Sequence, residues 1–517
     1  MSKVADLSTL PAWHAFSQAV KHAMPSSTTP RIIEAAGLRL DLSAQRNSEA
    51  MQAAIEQLLE ARDFKTQREG LFKGAISNPT EQRPAWHTML RAPQPIPEVA
   101  HERQRVLEFV RRADSERRYR NIVHIGIGGS DWGVRLAVAA FGYAGMWRNI
   151  RYVSNIDGHA IEAGLSGLDP HETLVVIATK SFKTAETLEN AARALEWLKS
   201  ANIQDPMNQI IGITANPEAA RAWGLHDALI FRFWDWVGGR FSIWSAVGVA
   251  AGLAVGTNVM AGLQNGATAM DQHFLSAPAT SNAPIQMALT GIANRSVLEY
   301  GSLNIAAYDS RLANLIPYLQ QLEMESLGKS VDAQGNPIQV ATGPAVWGMP
   351  GTDAQHTFFQ WLHQSSRGAP VDFIICQHED HRWKEHHHQL LAHCLAQREA
   401  LLKGKTLEQA TAECIAQGLD PKQAEELAKH QTLPGGRPSN LIVLPRLTPF
   451  ALGALLALYE HKVFVQGVIW GLNPFDQWGV EYGKQLALDI YAELSDLRSG
   501  LSEHDASTAY WIEQFKG

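Results

Sequence analysis

Three segments of this chain repeat one pattern, in which a short apolar run is followed by a polar turn and then by an amphipathic stretch. The segments begin at Asn121, Thr173 and Gln209. A continuous apolar run bounded by turn residues is typical of a strand that is buried on both faces. Strands that alternate with helices form parallel sheets covered by helices on both faces. The pattern therefore predicts a doubly wound α/β fold.

A second series of apolar runs follows a link near residues 280–285. The runs PVDFIICQ at 370–377 and SNLIVLPRL at 439–447 are predicted to be buried strands, and Thr448-Pro449 is typical of a helix start. Two doubly wound domains then account for the chain. Ligands of such sheets bind beyond the carboxyl ends of the strands, so chemistry is expected in the turns that follow them.

The expected domain boundaries follow these two series. Residues 1–115 should form a helical segment that packs on the second domain, residues 116–283 the first domain, and residues 284–517 the second domain with a C-terminal helical arm.

Two apolar segments, 241–270 and 452–470, resemble membrane spans in length. Polar or charged residues interrupt both, so we expect no membrane span, and a buried helix at 241–270.

Charge and cysteine content restrict the partners and the compartment. The chain has 45 Lys and Arg against 52 Asp and Glu, a net charge of -7, which gives no basic surplus for nucleic acid or for an anionic membrane. The three cysteines are an odd number without a CxxC pair, which favours a reducing compartment. The N-terminus lacks the apolar core of a signal peptide, and we expect a cytoplasmic protein.

The turn ATKSFKTAET, at 178–187, follows one of the predicted strands and precedes a helix with Glu186 in its first turn. Its hydroxyl and ammonium groups, Thr179, Lys180, Ser181, Lys183 and Thr184, would converge on a helix N-terminus. Such a group can bind phosphate. A hydroxyl-rich helix cap with solvated lysines is the alternative that these residues leave open.

The turn GIGGSDWG, at 126–133, resembles a dinucleotide fingerprint but has Asp131 where the last glycine is required. Gly128, Gly129 and Ser130 still form a strand-to-helix turn whose backbone N–H groups could face an anion or sugar hydroxyls. The residues alone leave open whether this is a ligand turn or only a tight turn.

The segment YLQQLEMESLGK, at 318–329, is predicted to be a helix that Gly328 ends. Gln321 and Glu325 are four residues apart and therefore share a face near its C-terminus. A carboxylate there could abstract a proton beside a carbonyl group, although a solvated glutamate remains the alternative.

The histidine-rich run at 378–389 fits no zinc spacing and is predicted to be a polar helix start.

Taken together, six motifs in chain order resemble those of glucose-6-phosphate isomerases. They are GIGGSDWG at 126, TKSFKTAET at 179, GGRFSIWSAVG at 238, QLEMESLGK at 321, GTDAQHTFFQWLHQ at 351 and FDQWGVEYGKQLA at 475. The resemblance implies two sugar isomerase (SIS) domains and a homodimer whose active sites lie between domains and subunits. It also implies interconversion of glucose 6-phosphate and fructose 6-phosphate without a metal or a cofactor.

The resemblance assigns roles to individual residues. Glu325 matches the base that moves the proton, Arg240 the group that stabilises the enediolate, and His356 and Lys484 the groups that assist ring opening. The matched substrate-binding residues are Gly129, Ser130, Thr179, Lys180, Ser181, Thr184, Gln321 and Gln477. No residue is matched to a metal.

Some residues depart from the usual family pattern. Lys183 and Leu327 replace smaller or more polar residues, Thr179 replaces serine, and GTDAQH differs from the commoner GTNGQH. We expect Lys183 to point to solvent, because Lys180 already occupies the matched position. Another SIS-fold sugar-phosphate isomerase and a non-catalytic sugar-phosphate sensor are the alternatives, and the presence of Glu325 and His356 argues against the sensor.

Overall fold

A computed structural model of the chain describes residues 5–25, 29–75, 77–143, 145–495, 497 and 503–516. The chain divides into two compact units, residues 1–474 and 475–517. The strands are β1 (Met24–Pro25), β2 (Ile32–Ala35), β3 (Leu38–Asp41), β4 (Arg46–Asn47), β5 (Asn121–Gly126), β6 (Asn149–Val153), β7 (Thr173–Ala178), β8 (Ile210–Thr214), β9 (Ile230–Arg232), β10 (Ser302–Tyr308), β11 (Ala345–Pro350), β12 (Val371–Cys376) and β13 (Ser439–Leu444).

The helices connect and cover these strands. They are α1 (Pro11–His22), α2 (Glu49–Ala61), α3 (Phe64–Lys73), α4 (Pro97–Ser115), α5 (Trp132–Phe141), α6 (Gly158–Leu165), α7 (Ala185–Ser200), α8 (Pro217–Ala222), α9 (Val249–Val255), α10 (Thr257–Ser276), α11 (Ala283–Ile292), α12 (Leu315–Leu327), α13 (Gly351–Gln355), α14 (Phe359–Gln364), α15 (Lys384–Lys403), α16 (Leu407–Ala416), α17 (Pro421–Gln431), α18 (Pro449–Trp470), α19 (Glu481–Leu494) and α20 (Ala506–Phe515).

The first sheet has the strand order β6-β5-β7-β8-β9, and all its pairs are parallel. Every residue of β5, β7 and β8 is buried, as expected for strands covered on both faces. Because β5 and β7 lie in register, Gly126 is opposite Ala178 at their carboxyl ends. The turn after β5 and the loop after β7 therefore begin side by side. The predicted strand, turn and helix units are confirmed here.

The second sheet has the order β11-β10-β12-β13-β3-β2. Strands β10 to β13 are parallel, while β3 and β2 add to the edge of β13 as an antiparallel hairpin. The predicted strands at 370–377 and 439–447 are confirmed as β12 and β13. The hairpin comes from the N-terminal region, where the sequence suggested only helices and loops. Each of its strands has only four residues, which is too short for a clear signal in the sequence.

The expectation of one buried helix at 241–270 is wrong. Residues 239–244 form a 3-10 segment, and α9 and α10 follow it as separate helices. Gly256, between α9 and α10, has φ +96° and ψ 153°, a conformation far from helical that glycine adopts without steric cost. The apolar composition predicted burial but not the break.

Helix α18 is the core helix of the first unit. Thr448 caps its N-terminus through the N–H of Ala451, and a proline occupies its first turn, as predicted. The helix is long and apolar enough to span a membrane, yet its apolar stretch is buried inside the protein. Protein therefore surrounds α18 beyond its first turn.

A buried ion network joins α18 to α10. Arg91 donates two hydrogen bonds of 2.8 Å to Asp271 and a third to Glu460, which also accepts one of 2.7 Å from the Trp244 indole. His461 contacts Asp271 at 2.6 Å. Burial opposes ionisation of Asp271, but Arg91 and His461 outweigh it and lower its pKa. Burial raises the pKa of Glu460.

The second unit, residues 475–517, contains α19 and α20, which pack against each other. Among its described residues, Lys484 on α19 forms an i,i+3 ion pair of 2.8 Å with Glu481. Several large apolar side chains of the two helices are exposed.

We predict that Arg91→Met lowers the free energy of unfolding by about 3–5 kcal/mol at neutral pH, because two buried carboxylates lose their cation. Without Arg91, only His461 opposes the effect of burial on Asp271, so the pKa of Asp271 should rise. Protonation of the buried carboxylates can then reduce the loss of stability as the pH falls. The difference in Tm between wild type and variant should therefore narrow from pH 8 to pH 5.

The matched control is Arg193→Met, since Arg193 pairs with Glu189 and Glu196 at a site where its side chain is 52% exposed. Exposed pairs contribute little, so its Tm should stay close to that of wild type. An equal loss of Tm in both variants, or a gap for Arg91→Met that widens at low pH, would contradict the network's contribution.

Candidate functional site

The turn after β5 is packed so closely against residues 239–240 that only glycine fits. A Cβ on Gly129 would lie 2.1 Å from the carbonyl carbon of Gly239, and one on Gly128, whose φ is +58°, would lie 2.9 Å from the Gln321 side-chain nitrogen. The Ser242 hydroxyl donates to the Gly129 carbonyl at 3.0 Å. These contacts bring the turn, the 3-10 segment at 239–244 and α12 together at the carboxyl edge of the first sheet.

Arg240 is the buried centre of this arrangement. Its Nε donates to the Ser326 hydroxyl at 2.7 Å, its Nη1 to Glu325 at 3.1 Å, and its Nη2 to the backbone carbonyl of Pro474 at 2.7 Å. The side chain is 1% exposed. The guanidinium is therefore held by α12 on one side and by the chain that follows α18 on another.

Glu325 is the accessible member of the pair. It lies in the last turn of α12, which ends at Leu327 and is capped by Gly328, as the sequence predicted. Its side chain is 28% exposed, whereas that of Arg240 is buried. Gln321, one turn earlier, has its amide nitrogen 3.4 Å from both carboxylate oxygens. A carboxylate held between an amide and a guanidinium, with one side open, can exchange a proton with a ligand.

The loop at 179–184, between β7 and α7, is tightly folded. The Thr179 and Thr184 hydroxyls are 2.8 Å apart, and the N–H of Lys183 donates to the Ser181 hydroxyl at 3.2 Å. Phe182 has φ +51°, a conformation that costs energy for a non-glycine residue, and its buried ring anchors the loop. Lys183 is exposed, as predicted.

Lys180 connects this loop to the Arg240 segment. Its ammonium group donates to the backbone carbonyls of Asp235 at 2.7 Å and Val237 at 2.8 Å. The pKa of Lys180 is lowered to about 8, mainly by burial and also by the positive charges of Arg83 and Arg240, against the opposing effects of Glu81 and Asp235. The hydroxyl groups of the loop, this ammonium group and Arg240 thus belong to one cluster.

His356, Gln477 and Lys484 lie outside the contacts described so far. His356 is exposed at the end of α13, where its N–H donates to the Asp353 carbonyl at 3.2 Å. Within the described residues, no hydrogen bond or ion pair joins it to Glu325. Gln477 and Lys484 lie in the second unit, at a 3-10 turn and on α19 respectively.

Sequence reasoning missed the groups that hold the cations in place. Ser326 could have been suspected, because it follows Glu325 directly in the motif. The carbonyls of Asp235, Val237 and Pro474 could not have been suspected, since every residue type supplies a backbone carbonyl and the sequence therefore carries no signal for it. Among the described residues, no three His, Cys, Asp or Glu side chains are grouped so that they could hold a metal ion.

Comparisons with known proteins agree with this geometry. The family model described as phosphoglucose isomerase matches residues 41–512. A glucose-6-phosphate isomerase of Bordetella pertussis is 55% identical over 509 residues, which cover 98% of each chain. One of Ectopseudomonas mendocina is 40% identical over 99% of this chain and 98% of the other.

The same relationship is visible in three dimensions. The crystal structure of a glucose-6-phosphate isomerase from Chlamydia trachomatis superposes with a TM-score of 0.85 and 28% identity, and the match covers 99% of each chain. Because the family model spans most of the chain and relatives match it end to end, the chain belongs to the phosphoglucose isomerase family.

Proposed function

We propose that Glu325 is the base with which this chain interconverts glucose 6-phosphate and fructose 6-phosphate. The observation that supports this most is the 3.1 Å pair between a partly exposed Glu325 and a fully buried Arg240, beside the loop at 179–184. Family membership supports the reaction itself. The open-chain aldose and ketose differ in the position of one hydrogen between C1 and C2, which one carboxylate can remove and return.

Arg240 is assigned to the enediolate. When Glu325 accepts the C2 proton, its carboxylate becomes neutral, and the electron pair of the broken bond places negative charge on the C1 oxygen. A guanidinium that faces both the Glu325 carboxylate and the C1 oxygen therefore has a negatively charged partner before and after the proton transfer. Arginine suits this position because it holds its own proton under these conditions.

The phosphate end of the substrate is assigned to the loop after β7 and the turn after β5. The residues of this subsite are Gly129, Ser130, Thr179, Lys180, Ser181 and Thr184, with Gln477 completing it and Gln321 supporting the same site. Its support is the N-terminus of α7, which begins directly after Thr184, together with the Lys180 ammonium group.

Ring opening is assigned to His356 and Lys484. The closed sugar opens when a proton moves from the C1 hydroxyl to the ring oxygen, which suits an imidazole, while an ammonium group can hold the partner oxygen. The exposure of His356 fits a group that a neighbouring subunit uses.

We also infer a homodimer. On α19 and α20 of the second unit, a row of large apolar side chains is half exposed or more: Tyr482, Leu488, Tyr491, Trp511 and Phe515. Surfaces of this kind are normally covered by a partner. A second copy of the chain, with sites that combine Glu325 of one subunit and His356 of the other, accounts for both features.

The remaining assignments concern organisation and location. The first sheet lies within 116–283 and most of the second within 284–517, which supports two sheet-based domains, and the β2–β3 hairpin supports an N-terminal segment on the second. All three cysteines are buried thiols, which fits a cytoplasmic protein. The reaction needs no metal or redox cofactor, so activity should survive a chelator.

We predict that Glu325→Gln lowers kcat by several orders of magnitude while sugar-phosphate binding survives, because the amide keeps the shape and loses the base. The assay couples fructose 6-phosphate turnover to a glucose-6-phosphate dehydrogenase, with chelator present. The control Glu426→Gln changes an exposed glutamate and should retain full activity. A Glu325→Gln enzyme with a tenth of the wild-type kcat would remove Glu325 from the mechanism.

KM for fructose 6-phosphate should rise above pH 8. Lys180 has a pKa of about 8, so its charge is present below that pH and is lost above it, whereas the substrate phosphate is already a dianion at pH 7. The measurement is KM between pH 6.5 and pH 9.5 at constant ionic strength. In Lys180→Gln, KM should be higher throughout and flat above pH 7; a rise equal to that of wild type would assign the titration to another group.

Mixed dimers test the shared site. Glu325→Gln and His356→Ala should each be inactive, but a dimer that contains one subunit of each concentrates both lesions in one site and leaves the other intact. Joint refolding should therefore restore roughly a quarter of wild-type activity, because about half the dimers are mixed and half their sites are intact.

Exchange of subunits must be verified independently, for example with two differently tagged variants. If the glutamate and the histidine of a site come from one chain, every site in a mixed dimer carries a lesion. Verified exchange without recovered activity would overturn the shared site.

A further inference from the structure

One anchor of Arg240 is a backbone carbonyl that belongs to neither the loop nor the helix of the site. Arg240 Nη2 donates to the Pro474 carbonyl at 2.7 Å, at the end of the short segment that follows α18. Proline has a fixed φ, and the residue before a proline is confined to extended conformations. The position of Pro474 and of its carbonyl carbon therefore depends on how Asn473 is held.

Asn473 is 4% exposed and is held through its side chain and its backbone. Its side-chain nitrogen donates to Asn78 Oδ1 and to Thr80 Oγ1, both at 2.9 Å. Its carbonyl accepts a hydrogen bond from Lys329, which follows α12. The residue thus joins an N-terminal turn, the end of α12 and the segment that carries Pro474.

The N-terminal turn at 78–83 is itself closed by strong contacts. Asn78 and Arg83 exchange backbone hydrogen bonds of 3.1 and 3.3 Å, and the Asn78 amide also donates to Glu81. Asn78 is 2% exposed. A buried, cross-linked turn is a rigid support for the two acceptors that Asn473 uses.

The ring of Pro474 is also confined by α18. It lies against Gly467 of α18, where a Cβ would be 2.9 Å from the ring. Pro474 is therefore confined both by α18 and by the contacts of Asn473. Its carbonyl can hold the Arg240 guanidinium in one place.

We propose that Asn473 is a positioning residue for Arg240, acting through the carbonyl of Pro474. The proposal rests on the role of Arg240 proposed above and extends it to a residue that touches no substrate. Loss of the Asn473 side-chain contacts frees the Pro474 carbonyl, and the guanidinium loses one of the anchors that aim it.

The expected signature is a fall in kcat without a change in KM. Arg240 acts on charge that develops only in the transition state, while the phosphate loop holds the ground state. Misplacement of a catalytic group by about 1 Å can cost about 10²-fold in rate. A role in folding alone would lower Tm and the active fraction but not kcat per folded site.

The experiment is a double-mutant cycle on the full-length enzyme. Asn473→Leu, Arg240→Lys and the double variant are assayed for kcat and KM with fructose 6-phosphate, and the folded fraction is measured for each. Asn473→Leu should lower kcat about tenfold to a hundredfold with KM changed less than about twofold. In the Arg240→Lys background, the same substitution should lower kcat by less than about twofold.

Asn282→Leu is the matched control, since Asn282 is equally buried and bonds the Phe274 carbonyl at 3.0 Å and the Ile285 N–H at 3.3 Å, away from Arg240. It should lower Tm and leave kcat unchanged. If Asn473→Leu does not fold, Thr80→Val removes one acceptor and Gly467→Ala displaces the Pro474 ring; either should give the same fall in kcat at constant KM.

The outcomes separate the two proposals. Wild-type kcat in Arg240→Lys would overturn the proposed role of Arg240 and with it this inference. A low kcat in Arg240→Lys with wild-type kcat in Asn473→Leu or its substitutes would overturn only the inference. Losses that multiply in the double variant would assign Asn473 a route to activity that does not pass through Arg240.

Discussion

The guanidinium of Arg240 is the point at which separate parts of the fold meet. It extends from the 3-10 segment at 239–244, which packs against the turn after β5, and contacts Ser326 and Glu325 on α12 and Pro474 beyond α18. The Gly129–Gly239 approach sets the position of this segment against the turn after β5. Any change in the packing of α12 or α18 therefore reaches the candidate base and its partner together.

Helix α18 links the Arg240 segment and α12 to the core through two of its charged side chains. Near its middle, Glu460 accepts from Trp244, in the Arg240 segment, while Lys462 contacts Glu323 of α12 at 2.6 Å. Both carboxylates are buried. Hydrogen bonds between buried charged groups are strongly directional and costly to break, so they fix the register of α12 and of the 3-10 segment against the same helix.

Much of the fold follows from local patterns in the sequence. Buried parallel strands such as β7 and β12 are continuous apolar runs, and Gly328 and Thr448 mark helix ends by their own conformational and hydrogen-bonding preferences. The β2–β3 hairpin escaped prediction because it depends on the free edge of β13, some 400 residues later, rather than on its own residues. Its stability is a tertiary property.

The candidate site likewise has a part that the sequence predicts and a part that it does not. The side chains that resemble family motifs, such as Glu325, Arg240 and Lys180, could be identified from the sequence, because a chemical role restricts the residue type. Their supports could not, since Asp235, Val237 and Pro474 contribute carbonyl groups that any residue possesses. Only the chain path shows which carbonyls arrive there.

The choice between carbonyl and carboxylate supports has a consequence for charge. Burial lowers the pKa of Arg91, but its two carboxylate partners outweigh burial and raise it. They also balance the positive charge of Arg91, as suits a structural cation. Lys180 is held by two neutral carbonyls, so burial is not compensated and its pKa falls to about 8. Carbonyl dipoles fix the position of a cation but leave its net charge in place. A protein with a net charge of -7 can in this way keep a local positive site for a dianionic phosphate. The bound phosphate then supplies the counter-charge that the carbonyls lack, which raises the pKa of Lys180 and keeps the lysine fully charged.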